Sequence, residues 1–266
     1  MLKENGYFGV ISSKNDKADS IKKEIGKLVN ILDIDSPDLI NGEYELKAII
    51  IIGGDGEMLH ALHRFYKLNI PFIGINAGSL GFLMNEAFDL DLINNFAKKE
   101  TIALFPLKMK TFTSNGEEKS FIAFNEVSLY RATNQAAKIE IKINGETQIS
   151  ELISDGIIVS TPAGSTAYNF SAGGRIVPLD SKVICITPVC AFRPRRWHGA
   201  ILPESTRIAF DVLESKKRPV NAVADFNEIK DVVRVEIEQQ TLISANLVFV
   251  SHSALAEKMI KEQFTV

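Results

Sequence analysis

The 266-residue chain has only two cysteines and almost no net charge, and each shortage excludes something. Two thiols cannot staple a chain of this size. Cys185 and Cys190 are five apart in an apolar, strand-like run, which predicts side chains on opposite faces. They read as buried free thiols, suited to a reducing compartment. With 30 basic residues against 33 acidic ones the formal charge is −3, so no global field gathers nucleic acid or an anionic membrane. No apolar run approaches the roughly 20 residues of a membrane span, and MLKENGYFGV lacks the apolar core of a secretory signal. There is no internal repeat and no low-complexity linker. Gly-x-x-x-x-Gly-Lys-Ser/Thr does not occur, and Gly74, Gly78 and Gly81 do not fit Gly-x-Gly-x-x-Gly, so hydride-transfer chemistry is poorly supported. The expectation is a soluble, cytoplasmic protein without a nucleic-acid or membrane partner. At about 150 residues per domain the length allows two domains or one large one.

What is present alternates in type over the first hundred residues. Tyr7 to Ser12 reads as a strand and Asp16 to Leu32 has apolar residues at helical spacing. Lys47 to Ile52 is a β-branched run without polar alternation, as in a parallel strand buried on both faces. Glu57 to Lys67 places Met58, Leu59, Leu62, Phe65 and Tyr66 on one helical face, Pro71 to Ile75 is a further strand, and Asp89 to Lys99 a further helix. This predicts an α/β, Rossmann-like domain over residues 1–100. From there short alternating stretches follow: Leu107 to Thr113, Phe121 to Tyr130, Ile139 to Ile143, Val183 to Thr187, Arg207 to Val212, Val232 to Glu238 and Leu247 to Val250. Asn115-Gly116 and Asn144-Gly145 are hairpin signals. Residues 101–250 are therefore expected as a mostly β, β-sandwich-like domain. Ser253 to Phe264, with Leu255, Met259, Ile260 and Phe264, is an amphipathic helix expected to return to the first domain.

Two segments carry chemistry. The buried strand runs into Gly53-Gly54-Asp55-Gly56 and then a helix. Glycines let the backbone turn sharply and approach a ligand, and helix-start amides favour phosphate. Asp55 in that turn would accept a proton from a hydroxyl or hold Mg²⁺ beside phosphate oxygens. The same four residues also fit a tight turn with an aspartate cap; the buried strand ahead favours the phosphate reading. The second segment is Thr161-Pro-Ala-Gly-Ser-Thr-Ala-Tyr168 with Asn169, Phe170 and Ser171 behind it. Its hydroxyls fit a helix cap and a nucleotide pocket equally well, Tyr168 offering an aromatic face to a base. His60 and His63 lack a third metal ligand. Arg193 to Trp197 is basic and aromatic, suited to a loop or a subunit contact.

Gly53-Gly54-Asp55-Gly56, Asn125-Glu126 and Thr161 to Tyr168, in this order and spacing, resemble the signatures of the NAD kinase family (ATP- or polyphosphate-dependent). Asn76-Ala-Gly-Ser-Leu-Gly-Phe82 is similar to a further family segment near the substrate adenine. The resemblance runs from about Ile49 to Asn227. It implies a phosphotransferase with an alcohol group as acceptor, moving the terminal phosphoryl group of ATP to the 2′-hydroxyl of the adenosine ribose of NAD. Asp55 matches the general base. Gly53, Gly54, Gly56 and Phe82 match the substrate site, and Asn125 and Glu126 the pair on the diphosphate and ribose. Asp155 matches the carboxylate at the nicotinamide end. Ala163, Thr166, Ala167, Tyr168, Asn169, Phe170 and Ser171 match the nucleotide wall, with Asp225 and Asn227 as further contacts. The resemblance also implies Mg²⁺ or another divalent cation held mainly by substrate phosphates, with Asp55 its one candidate protein ligand. A homotetramer formed through the β-rich domain is implied as well. Two departures stand out: Glu57 where the family often has Thr, and Ile153 where it often has Arg. The competing readings are a lipid kinase of the diacylglycerol or sphingosine type, which shares the Gly-Gly-Asp-Gly turn, a phosphofructokinase, and a non-catalytic dinucleotide sensor.

Overall fold

The computed structural model describes residues 6–34, 45–78, 81–86 and 88–264. By contacts between Cα atoms the chain divides into two units, residues 1–104 with 243–266 and residues 105–242.

The first unit opens with β1 (Tyr7–Ser12), α1 (Asp16–Leu28) and β2 (Ile31–Asp33). The Asn15 side chain caps α1 by accepting from Ala18 N at 2.9 Å, and Ala18 and Ile25 fill its buried face. The helix is shorter than its apolar spacing predicts. Val29 turns extended, and Ile31 to Asp33 pair with Phe8 to Val10 as a parallel strand. β3 (Leu46–Gly53) follows, with Ile49 to Ile52 fully buried. α2 (Asp55–Phe65) and β4 (Phe72–Asn76) come next. β3 lies parallel between β1 and β4, so its carbonyls and amides are paired on both sides and it has no need of a polar face. Ile50 and Ile52 join Ala18 and Ile25 in one apolar cluster. On the opposite face, a Cβ on Gly74 would stand 2.8 Å from Met58 of α2, so helices cover both faces. The expected helix over 89–99 is broken: α3 (Leu90–Asn94) ends at Asn95, a single 3₁₀ turn follows, and β5 (Glu100–Leu104) begins.

The second unit contains β6 (Leu107–Thr113), β7 (Glu118–Ala123), β8 (Glu126–Arg131), β9 (Ala137–Ile143), β10 (Glu146–Ser154), β11 (Gly156–Ser160), α4 (Tyr168–Ser171), β12 (Val183–Val189), β13 (Ala200–Pro203), β14 (Ile208–Val212), β15 (Val220–Ala224), β16 (Asn227–Ile229) and β17 (Val232–Gln239). These form two six-stranded sheets in the orders β10-β9-β14-β17-β6-β7 and β13-β12-β11-β8-β15-β16. Alternate residues of both sheets, among them Met109, Ile141, Phe210, Val127, Val159 and Ala222, share one buried core, which is sandwich packing. Both Asn-Gly pairs close hairpins. Asn144 and Gly145 take φ of +52° and +89°, the positive pair that a two-residue hairpin turn requires.

Four expectations change here. Phe121 to Tyr130 is not one strand. The chain leaves one sheet after β7 and enters the other at β8, because Phe124 and Asn125 are held in a corner by a side chain 100 residues away. Cys185 is buried, but Cys190 is exposed; it lies past the end of β12 with φ of +49°, so strand alternation does not reach it. The stretch near Leu247, read with the β-rich half, is β18 (Ala245–Phe249) of the first unit, parallel to β4 and antiparallel to β5. That unit's sheet runs β2-β1-β3-β4-β18-β5. α5 (His252–Gln263) closes the chain. Its Lys258 and Met259 are buried while Ile260 and Phe264 are exposed, so part of the predicted apolar face points to water; the side chain of Leu255 lies outside the described residues.

Candidate functional site

In the first unit, β1 and β3 are neighbours whose connections leave in opposite directions across the sheet. Ligands of open α/β sheets bind at the carboxyl ends of such strands, and here those ends are Ser13 and Gly53. The side chains there form a closed set. Glu57 accepts from Gly54 N at 3.0 Å and from Ser13 Oγ at 2.9 Å. Burial pushes the Glu57 carboxyl up, but these hydrogen bonds together outweigh it and hold its pKa below the usual value. A Cβ at Gly53 would lie 2.6 Å from Ser13 Oγ and 3.0 Å from Glu57, so glycine is needed there for room. The Gly54 amide, expected as a phosphate donor, is thus engaged by the chain's own Glu57, the position where family members often carry threonine.

Asp55 is in the first turn of α2. Its carboxylate accepts from Phe82 N at 2.8 Å and Leu83 N at 2.9 Å. Burial raises its pKa, opposed by those two amide bonds and by the charge of Lys258. Gly56 faces open space. Phe82 is buried, and Ser79 and Leu80 of the same segment lie outside the described residues.

In the second unit three segments read separately in the sequence meet. Asp225, at the tip between β15 and β16 with φ of +52°, accepts from Phe124 N at 2.7 Å, Asn125 N at 3.1 Å and Glu126 N at 3.1 Å. Thr161 Oγ1 donates to Phe124 O at 2.6 Å, and Thr161 N to Asn125 O at 2.9 Å. Gly164 comes so near that a Cβ would stand 2.1 Å from Asn125 O. Two polar atoms in this cluster, Asn125 Oδ1 and Glu126 Oε2, are buried with no hydrogen-bond partner among the described residues. Such atoms are rare unless something else satisfies them. Burial, reinforced by the charge of Asp225, pushes the Glu126 carboxyl up to about 8.

The family models of the ATP-NAD kinase N-terminal and C-terminal domains match residues 37–97 and 124–239. The NAD kinases of Rickettsia felis and Rickettsia bellii are 48% and 46% identical to this chain, with 97% of each chain covered in both cases.

The chain belongs to the NAD kinase family.

Its fold agrees with two solved structures of that family. Yeast NADH kinase complexed with NADH superposes with a TM-score of 0.80 at 19% identity, covering 98% of this chain and 89% of the other. The Archaeoglobus fulgidus NAD kinase in complex with ATP gives 0.78 at 22% identity, covering 96% and 98%. The family assignment sets aside the lipid-kinase and phosphofructokinase readings.

Around the cluster of this NAD kinase family member the expected wall residues divide. Tyr168 is 46% exposed, and Phe170 and Ser171 are also open to solvent. Thr166 and Ala167 are half-buried, Ala163 is buried, and Asn227 is half-buried on β16. Asn169 differs: it is fully buried, its amide donating to Ser165 O and Arg175 O and accepting from Thr187 Oγ1, so its side chain holds the turn. Asp155 pairs with Arg131 of β8 at 2.6 Å. Trp197 packs on the unit's own core, while Phe192 is 50% exposed with the Arg193 and Arg195 guanidiniums 5.5 and 5.1 Å from its ring centre. His60 is exposed, and among the described residues no three His, Cys, Asp or Glu gather as a metal site. Arg131 and Lys258 carry no motif or spacing that marks them, because their partners are remote in the chain.

Proposed function

We propose that this chain makes NADP by moving the terminal phosphoryl group of ATP to the 2′-hydroxyl of the adenosine ribose of NAD, with Asp55 as general base. The observation that carries the role is a carboxylate fixed by two backbone amides, at the carboxyl end of the central strand, with a pKa raised by burial. In the transfer the 2′-oxygen bonds to the γ-phosphorus, the bond from that phosphorus to the β,γ-bridging oxygen breaks, and the hydroxyl proton passes to Asp55. ADP and NADP leave. Asn125 and Glu126 receive the diphosphate and ribose region; their unpaired oxygens suit the donating hydroxyls of the ribose. Asp155, oriented by Arg131, serves the nicotinamide end, and Tyr168 lends its exposed ring to a base.

Mg²⁺ supplies charge neutralisation on the phosphates when bound. Both carboxylates at the turn already accept hydrogen bonds, Glu57 from Gly54 and Ser13 and Asp55 from Phe82 and Leu83. That fits an ion held mainly by triphosphate oxygens and water, with Asp55 as at most one protein ligand. A homotetramer formed through the second unit and a cytoplasmic location complete the reading; the free thiols Cys185 and Cys190 suit a reducing compartment. The test is incubation with NAD, ATP and Mg²⁺, NADP being read with an NADP-specific dehydrogenase. ATP-dependent NADP is expected. Dinucleotide binding without turnover would make the chain a sensor instead.

A further inference from the structure

The ammonium of Lys258, on α5, is buried. Its Nζ donates to Gly81 O at 2.6 Å and to Met84 O at 3.3 Å, and stands 3.7 Å from Glu86 Oε1. A buried ammonium is costly and persists only where its hydrogen bonds and charge are matched. The two carbonyls it grips bracket Phe82 and Leu83, whose amides hold both oxygens of Asp55. The far end of the same loop is fixed separately. Asn85 donates to Gly74 O and Val248 O at 2.8 and 3.0 Å and accepts from Val250 N at 2.9 Å. No side chain fits at Gly81, where a Cβ would stand 2.8 Å from Met84 Cγ and 3.1 Å from Asp55 Oδ1. The loop between Gly81 and Met84 is therefore held through its carbonyls by one lysine and through its amides by one aspartate.

We propose that Lys258 is a positioning residue for phosphoryl transfer: by clamping the carbonyls of Gly81 and Met84 it aims the Phe82 and Leu83 amides at Asp55 and so sets the place of that carboxylate. The proposal rests on Asp55 being the acting carboxylate. A residue near the carboxyl end of the chain thus acts on the first turn of α2 through a loop that touches both. Misplacing a reacting group by about 1 Å costs up to about 100-fold in rate, so the effect belongs in kcat.

The test compares the full-length chain with Lys258→Met and Lys258→Arg by steady-state kinetics and by amide hydrogen exchange at Phe82 and Leu83. Lys258→Met is expected to lower kcat by about 10- to 100-fold with the KM for ATP within about twofold. Exchange at Phe82 and Leu83 should quicken while β1 and β3 stay protected, and Lys258→Arg should recover most of both losses. If Lys258→Met does not fold, Lys258→Gln takes its place. A neutral variant with unchanged kcat and unchanged exchange overturns the proposal. So does a rise in exchange spread evenly over the first unit, or a failure of both neutral variants to fold, since either makes Lys258 a stability residue. Exchange is read without substrates, so an unsubstituted chain that makes no NADP counts against the proposed function and leaves the clamp to be judged by exchange alone.

Discussion

Asp55 and Glu126 are both carboxyls pushed up by burial, and their surroundings give them different work. Asp55 has each oxygen on a backbone amide, so its place is fixed. Asp55→Asn keeps the shape and removes the proposed acceptor of the hydroxyl proton. The expected loss in kcat is about 10²- to 10⁴-fold with dinucleotide affinity retained; near-normal turnover in a purified variant would falsify the assignment. Glu126 has one buried oxygen without a partner and Asp225 beside it. Its pKa rises from 4.5 to about 8, so between those values the folded chain holds a proton that the unfolded chain has released. Stability therefore falls as pH rises through that window, by on the order of a few kcal/mol in total. Glu126→Gln should flatten the decline. Melting without ligand at pH 5 and pH 8 is the check, and an equal drop in both proteins would remove Glu126 as its source.

At the scale of elements, the corner between β7 and β8 carries the most consequence. A chain that changes sheets leaves amides unpaired, and Asp225 satisfies three of them while the segment from Thr161 to Gly164 presses on the same corner. Gly164→Ala would force a Cβ to within 2.1 Å of Asn125 O, a contact that only backbone movement relieves. It should cost about 1–3 kcal/mol in stability and raise the KM for NAD, because Asn125 and Glu126 move with the corner. Gly56→Ala, in open space, is the matched control and should melt with the unsubstituted protein. If Gly164→Ala also melts there, the close approach has no energetic weight. This corner shows how the sequence was legible. The Asn-Glu pair, the Thr-Pro-Ala-Gly run and Asp225 were each recognisable, but hydrogen bonds joining positions 100 residues apart leave no periodic trace.

For the whole molecule the open matter is association. The second unit ends both its sheets in edge strands, β10 and β7 in one and β13 and β16 in the other, and edges of this kind are commonly covered by a loop, a helix or a second subunit. Arg193 to Trp197 is the expected rim, yet Trp197 packs on its own core, so changing it tests stability as much as contact. Phe192 is the exposed aromatic, flanked by Arg193 and Arg195, and aromatic and arginine side chains concentrate at interface centres. Light scattering at micromolar concentration should give about four times the 29.4 kDa of one chain. Phe192→Ala should lower that mass without lowering the melting temperature. A 29.4 kDa particle ends the idea of a tetramer, and a tetramer indifferent to Phe192 moves the contact elsewhere.

Local chemistry determined much of this protein from its sequence alone. The isoleucine run is buried because nothing in it needs water, the Asn-Gly pairs turn because they tolerate positive φ, and Gly53 to Gly56 closes a strand onto a helix because glycine permits it. Tertiary structure decided the rest, for reasons outside any window of sequence. Residues 31–33 pair as a strand although their spacing continues a helix, because β1 offers an unpaired edge. β18 enters the first sheet between β4 and β5 rather than joining the strands nearest in sequence. Arg131 pairs with Asp155, and Lys258 grips the loop that holds Asp55. A sequence records what each residue prefers; which remote partner satisfies a buried carboxylate, amide or ammonium is set only when the chain has folded and water is gone.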